Sequence, residues 1–145
     1  MIAPPGVGKF ALTAHVTTSV GWSGGVVVFL AMTGVGLTSQ DSATVRGVYL
    51  LMEHAAWLTL VPFAIASLIT GVVMSLITPW GLLRHYWVVF KLMITAFSTV
   101  VLLIYMQTFR HMAAVAADPA AELDVVRDPS PLVHAVLALL ILLVG

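Results

Sequence analysis

The segment over residues 10–37, FALTAHVTTSVGWSGGVVVFLAMTGVGL, contains no charged residue and decides the class of this protein. A helix of roughly 20 apolar residues crosses a bilayer core about 30 Å thick and satisfies its own backbone hydrogen bonds there. The segment is long enough to cross, yet it contains His15, an ionisable residue that lipid disfavours. Such a residue usually faces the interior of a helix bundle. The segment therefore predicts a membrane helix with a functional inner face.

The composition of the whole chain agrees with this prediction. Of the 145 residues, 61% are hydrophobic and only 8% are charged, whereas about a quarter of the residues of a soluble domain are charged. Six basic residues balance six acidic ones, and no basic run suits a nucleic-acid partner. The absence of cysteine excludes disulfides, thiolate metal sites and iron–sulfur clusters. We expect an integral membrane protein whose first partner is the lipid bilayer.

Apolar segments of helical length recur three more times along the chain. The predicted helices cover residues about 10–37, 43–77, 86–109 and 131–145. Short connections make neighbouring helices antiparallel, so we expect an all-α fold, a transmembrane up-down four-helix bundle that forms one domain. The last helix is shorter than the roughly 20 residues that span a bilayer. It is either a half-span covered by protein or a helix whose natural chain continues past Gly145, and we favour the second.

Glycine and proline predict local features of these helices. Gly21 and Gly25 are four residues apart, a spacing that lets a neighbouring backbone approach the first helix closely. Pro62 lacks a backbone N–H, so we expect a kink in the second helix. Alanine, aspartate and proline dominate the stretch from about 112 to 130, which predicts a loop before the last helix.

The positions of the charged residues predict how the protein is oriented in the membrane. We call side A the face that holds the N-terminus and the loop between the second and third helices, and side B the opposite face. Lys9, Arg84 and Lys91 lie toward side A, and Arg46, Arg110 and Arg127 lie toward side B. The basic residues are thus evenly divided, but all six acidic residues lie toward side B. This distribution favours a cytoplasmic side A, and with it a cytoplasmic N-terminus.

Polar residues share a face on each of the first three helices at the helical period. These faces hold His15, Thr18, Ser19 and Trp22 on the first helix, Glu53, Trp57, Ser67 and Gly71 on the second, and Lys91, Thr95 and Ser98 on the third. The rise of about 1.5 Å per residue places His15 and Lys91 in one polar layer near side A. It places Glu53, His54 and His134 in a second layer near side B.

These layers suggest a haem site. Neutral imidazole ligates haem iron, and facing helices of a bundle supply axial histidines to b-type haems. The candidate ligands are His15, His54 and His134, with Trp22 in the same site and Lys91 near a haem propionate. Each histidine has an alternative role, which is to hydrogen-bond a carbonyl or a hydroxyl on a neighbouring helix.

Glu53 beside His54 suggests a proton relay, because membrane proton paths are built from such groups. Its alternative is a carboxyl kept protonated by burial and bonded locally. Copper or zinc binding by two or three histidines is a further alternative, although their spacing matches no metal motif.

Two segments resemble known families: Ala14-His15 followed by WSGG at residues 22–25, and WVVFKL at residues 87–92. They resemble small bacterial membrane proteins around the copper-resistance D (CopD) domain, including an uncharacterised, largely actinobacterial group, and more distantly the HemJ-type protoporphyrinogen oxidases. The stretch TPWGLLRHYW, residues 78–87, is especially similar to the actinobacterial group. The resemblance covers most of the first three helices and implies a place in the bacterial inner membrane.

In HemJ-type proteins a histidine of the first helix and a lysine of a later helix matter for activity, and haem b is bound. The resemblance implies these roles for His15 and Lys91. That family usually has a histidine two residues before the lysine, where this chain has Val89. The resemblance therefore implies haem binding through His15 and argues against oxidase activity.

The leading hypothesis is a small membrane protein that binds haem b in its bundle and has a redox or haem-related role. One alternative is a cofactor-free accessory subunit of a larger membrane complex, whose polar faces hold helices together. Another is a protein that handles copper or protons through Glu53 and the histidines.

Overall fold

The computed structural model describes residues 3–79, 83–126 and 129–144, so the predictions for Arg127 and Gly145 lie outside the described residues. Within these ranges the chain is helical and contains no strand, which confirms the all-α class. The elements are α1 (Pro5–Thr38), α2 (Ser42–Ala55), a π-helical turn (Ala56–Leu60), α3 (Val61–Ile77), α4 (Tyr86–Ala117), α5 (Leu123–Val126) and α6 (Ser130–Val144).

Three helices are long and apolar enough to cross a membrane. They are α1, the continuous helix Ser42–Ile77 made by α2, the π turn and α3, and the helix α4. We call them the first, second and third spans. The helix α6 has 15 residues and packs on α1. The protein is therefore an all-helical membrane protein with three spans among its described residues, while the four-helix bundle stays a prediction.

The second span departs from α geometry where the sequence predicts a kink. The N–H of Val61 bonds to the carbonyl of Ala56, five residues back, instead of four. Pro62 follows at once, and its ring would clash with the carbonyl of Leu58 in a regular α-helix. A π turn widens the helix at this point and relieves that clash. It also rotates the side chains of α3 about the helix axis relative to those of α2.

The third span extends past its predicted end near residue 109 and ends at Ala117. Met112, Ala113 and Ala116 are buried in this extension, where α4 packs on α2. The apolar contact continues the helix into the predicted loop, which also holds the short helix α5. The loop prediction therefore fails for its first part because packing decides where α4 ends.

The tightest core lies in the half of the molecule near side B. Val45, Tyr49 and Met52 of α2 are fully buried, and Phe109 of α4 packs edge-on against Phe29 of α1 at a ring distance of 5.5 Å. In the half near side A, the same three spans enclose a cavity instead.

The guanidinium of Arg46 closes the core at side B. It donates to the carbonyls of Ala116, Asp118 and Ala121, where α4 ends and the chain turns toward α5. The last carbonyls of a helix have no partner inside that helix. Arg46 therefore caps the end of α4 from the start of α2.

The two glycines of the first span make room for side chains of the second span, whereas the predicted approach of its backbone stays a prediction. A Cβ built on Gly21 would lie 2.7 Å from the ring of Phe63, and one on Gly25 would lie 3.0 Å from Leu60. Both neighbours belong to the second span. The glycines thus bring the first two spans together beside the cavity.

Candidate functional site

The larger cavity holds about 500 Å³ and lies between α1, α3 and α4, with Ile141 of α6 at one edge. Its lining includes three of the predicted site residues, His15, Trp22 and Lys91. Hydroxyls from all three spans complete the polar part of the wall. They are Ser19, Ser23, Ser67, Ser75, Thr78, Thr95 and Ser98. The structure therefore brings the predicted layer near side A around one space.

The imidazole of His15 is held by a hydroxyl on the opposite helix. Its Nδ1 lies 3.0 Å from Oγ1 of Thr70. That hydroxyl has a single proton, which it donates to the carbonyl of Ala66 at 2.7 Å. When Thr70 donates to Ala66, its oxygen accepts a hydrogen bond from Nδ1–H of His15.

This tautomer leaves the lone pair of His15 on Nε2. In the part of the chain that the structure describes, no group hydrogen-bonds to Nε2. The ring reaches this position because Gly71 has no side chain, since a Cβ there would lie 3.2 Å from Cε1 of His15. A metal-ligating histidine usually donates its other N–H to a fixed acceptor in this way.

Further hydroxyl pairs join α1 to α3 beside His15. Ser19 Oγ lies 2.8 Å from Ser67 Oγ, and Thr18 Oγ1 lies 3.3 Å from Thr70 Oγ1. Such bonds between membrane helices stabilise their packing. They also hold the wall that carries His15 at a fixed distance from α3.

Lys91 supplies the positive charge of the cavity. Its Nζ lies 5.5 Å from the ring centroid of Trp87, a cation–π contact one turn earlier on α4. Among the described residues, the ion pair present is Glu53 with Arg110, so no carboxylate neutralises Lys91 there. The ammonium group therefore suits an anionic part of a ligand.

His134 lies away from this cavity, beside a smaller one of about 170 Å³ between α1, α4 and α6. Its ring stacks on Tyr105 with a centroid distance of 3.9 Å. The two cavities share Trp22, Ser98 and Ile141 in their linings, so they are adjacent. His134 and His15 therefore belong to neighbouring spaces.

Glu53 and His54 line neither cavity. Oε1 of Glu53 lies 3.7 Å from Nε of Arg110, which joins α2 to α4. His54 is exposed on the outer face of α2, with Nδ1 3.3 Å from the carbonyl of Leu50. The predicted layer near side B is not brought together, because Glu53, His54 and His134 point to different surroundings.

The predicted face of the second span is also divided. Trp57 is 44% exposed, whereas Ser67 is 4% exposed and faces α1. A π turn contains about one residue more than an α turn, so the faces before and after it differ by roughly 100°. The α-helical period therefore placed Glu53 and Trp57 on the wrong side of the span relative to Ser67 and Gly71.

Thr70, the hydrogen-bond partner of His15, was not among the predicted site residues. It lies between Ser67 and Gly71, which were assigned to a polar face, but the helical period gives no sign of its partner. Among the described residues, no three histidine, aspartate or glutamate side chains converge as metal ligands.

Comparison of the chain with protein families, curated proteins and solved structures finds no match.

Proposed function

We propose that this membrane protein binds haem b in the larger cavity, with Nε2 of His15 as an axial ligand. The observation that carries the proposal is the contact of His15 Nδ1 with Thr70, which leaves Nε2 available for a ligand in a cavity of about 500 Å³ that His15 lines. Ligand sites of this kind hold about 300–1,000 Å³ and have mostly apolar walls with a few polar groups.

The other residues of the cavity suit the parts of a haem. Lys91 offers an ammonium group for a propionate, and the apolar wall around Trp22 and Leu92 suits the macrocycle. Bound haem supplies one-electron chemistry, so the role we propose beyond binding is redox or haem-related. The proposed location is the bacterial inner membrane, with side A cytoplasmic.

The histidines provide a matched test of this proposal. The protein purified in mild detergent is titrated with haem b, and absorption spectra are recorded in the oxidised and dithionite-reduced states. We expect a Soret band that sharpens on reduction, that is lost in His15→Ala, and that persists in His54→Ala and His134→Ala. A spectrum that never differs from free haem in detergent contradicts haem binding, and loss in His54→Ala but not in His15→Ala contradicts the assigned ligand.

A second function is favoured by the hydrogen bonds between α1 and α3. The pairs His15–Thr70 and Ser19–Ser67 satisfy polar groups without any cofactor. In a cofactor-free accessory subunit these bonds would only hold helices together. The test is to purify the membrane complex from cells that express His15→Ala. A protein that contains no haem and still co-purifies with its partner subunits would support this function.

Relay of protons or copper through Glu53 has less support, because Glu53 pairs with Arg110 outside both cavities. This alternative can be tested with one variant. If Glu53 relays protons or copper, Glu53→Gln should abolish transport and leave a haem spectrum intact.

A further inference from the structure

The smaller cavity has the wall of a binding site for an apolar ring. Aromatic and aliphatic side chains from α1, α4 and α6 form most of it, among them Phe29, Phe97, Leu102, Phe109 and Leu137. No aspartate, glutamate, lysine or arginine is among its described lining residues. A charged ligand would lose its hydration here without a counter-ion. An occupant of this cavity is therefore uncharged.

The size of the cavity sets the size of the occupant. At about 170 Å³ it is close to an engineered apolar cavity of about 150 Å³ that stays free of water and binds benzene. A water molecule needs two or more polar partners, which this wall of aromatic and aliphatic groups supplies poorly. The space therefore suits one six-membered ring better than water.

One polar atom in the wall points to the chemistry of the ligand. Oγ of Ser98 is buried and has no hydrogen-bond partner. The next residue, Thr99, donates to the carbonyl of Thr95 at 2.8 Å, as hydroxyls in membrane helices commonly do. A buried hydroxyl without a partner is unfavourable, so a ligand that accepts a hydrogen bond from Ser98 would bind more tightly than one that does not.

From these observations we propose that the smaller cavity binds an uncharged, single-ring molecule that carries a carbonyl oxygen, the chemistry of a quinone or an aryl ketone. The hydroxyl of Ser98 donates to the carbonyl, and the stacked rings of Tyr105 and His134 form one wall. This site does not depend on haem, although its edge at Trp22 and Ser98 also borders the larger cavity.

Two probes of similar shape test the role of the carbonyl. Acetophenone and ethylbenzene are titrated into haem-free protein in nanodiscs of saturated phosphatidylcholine, with concentrations expressed per lipid. Methyl NMR signals of Ala135 and Ala138, which line the cavity, report binding. We expect saturable shifts for both probes, with acetophenone bound roughly five-fold more tightly, the effect of one hydrogen bond. No saturable shift at these methyls, or equal affinity for the two probes, overturns the proposal.

Variants separate the hydrogen bond from the cavity. Ser98→Ala should remove the preference for acetophenone while both probes still bind. Ala138→Leu should fill the cavity and abolish the shifts at Ala135, whereas Val136→Leu, on an exposed position of the same helix, should leave them unchanged. Retention of the acetophenone preference in Ser98→Ala contradicts the proposal.

The test also distinguishes this site from the proposed haem site. Acetophenone should still shift Ala135 in His15→Ala, in which we expect haem binding to be lost. Loss of both ligands from His15→Ala, with the protein still folded, would overturn the independence of the smaller cavity. Failure of haem binding alone would leave the site at Ser98 supported.

Discussion

A single hydroxyl decides which nitrogen of His15 can act as a ligand. Thr70 can accept from Nδ1 because its hydroxyl is placed to donate to the carbonyl of Ala66. Without this acceptor the imidazole loses both its orientation and its preferred tautomer. Thr70 is thus a positioning residue for the proposed haem site, although it does not line the cavity among the described lining residues.

The hydroxyl of Thr70 can be removed without changing the shape of its side chain. We expect Thr70→Val to weaken haem b binding by about 10- to 100-fold, the usual effect of losing such a partner. Thr70→Ser keeps the hydroxyl, so this variant should bind haem b about as tightly as the unsubstituted protein. The readout is the haem dissociation constant from absorption titration, together with the reduction potential. Equal affinity in both variants would contradict the role of the hydroxyl.

Asp41, the N-cap of α2, makes the start of that helix sensitive to pH. The hydroxyl and the backbone N–H of Thr44 both donate to the carboxylate of Asp41, at 2.5 and 3.1 Å. These bonds hold the pKa of Asp41 below its ordinary value. Since the folded pKa is the lower one, the stabilisation is complete above the unfolded pKa and is lost as the pH falls through the folded pKa.

We therefore expect the start of α2 to loosen in acid, below the ordinary range of an aspartate. The hydrogen-exchange protection of the Thr44 amide should decrease as the pH is lowered through this range. Asp41→Asn is the matched control, because asparagine also caps helices but does not titrate. An identical loss of protection in Asp41→Asn would show that Asp41 is not the responsible group.

At the scale of elements, the approach of the first two spans depends on where glycine lies on α1. Gly21 faces Phe63, whereas nothing lies within 4 Å of a Cβ built on Gly24. The two positions differ only in their direction from the same helix. Substituting alanine at each position therefore distinguishes the effect of glycine on packing from the effect of its low helix propensity.

We expect Gly21→Ala to destabilise the protein, because its Cβ would lie 2.7 Å from the aromatic ring of Phe63. Gly24→Ala should be neutral or stabilising by up to about 1 kcal/mol, since alanine is the better helix former. Thermal unfolding in detergent measures both variants. A lower midpoint for Gly24→Ala than for Gly21→Ala would contradict the packing of α1 on α3.

The π turn of the second span is only partly predictable from the sequence. Pro62 predicts an irregularity, and the structure has one directly before it. A proline can be accommodated by a kink, by a π turn or by both. The sequence does not distinguish them, yet only the π turn rotates Ser67, Thr70 and Gly71 relative to Glu53.

The three spans imply that successive connections of the chain lie on alternate sides of the membrane. Arg46, at the start of the second span, bonds to the carbonyl of Asp118, after the third. The connection before the second span and the one after the third therefore lie on the same side, side B. The connection that contains Leu83 lies on side A.

The chain has no cysteine, so single cysteines can test this topology directly. A membrane-impermeant maleimide added to intact cells should label Gln40→Cys and Ala120→Cys but not Leu83→Cys, because the acidic residues favour side B outside. Labelling of only one of the first two positions would contradict the three spans. Labelling of Leu83→Cys alone would keep the spans and reverse the orientation.

The amino-acid sequence is enough to predict a helical membrane protein and to identify the residues that should be tested. It could do so because the bilayer imposes length and apolarity on a helix, and because an ionisable residue such as His15 or Lys91 is rare in such a segment. These constraints act locally along the chain, so they can be read from it.

Which of these residues lie around the same cavity depends on how the helices pack. The tertiary structure placed His15 and Lys91 around one cavity, moved His134 to a second, and left Glu53 and His54 outside both. The cause is a rotation, because one π turn changes the direction in which half of the second span faces. In addition, the partner of His15 is Thr70, 55 residues away in the chain. Neither the rotation nor the pairing leaves a periodic signal in the sequence.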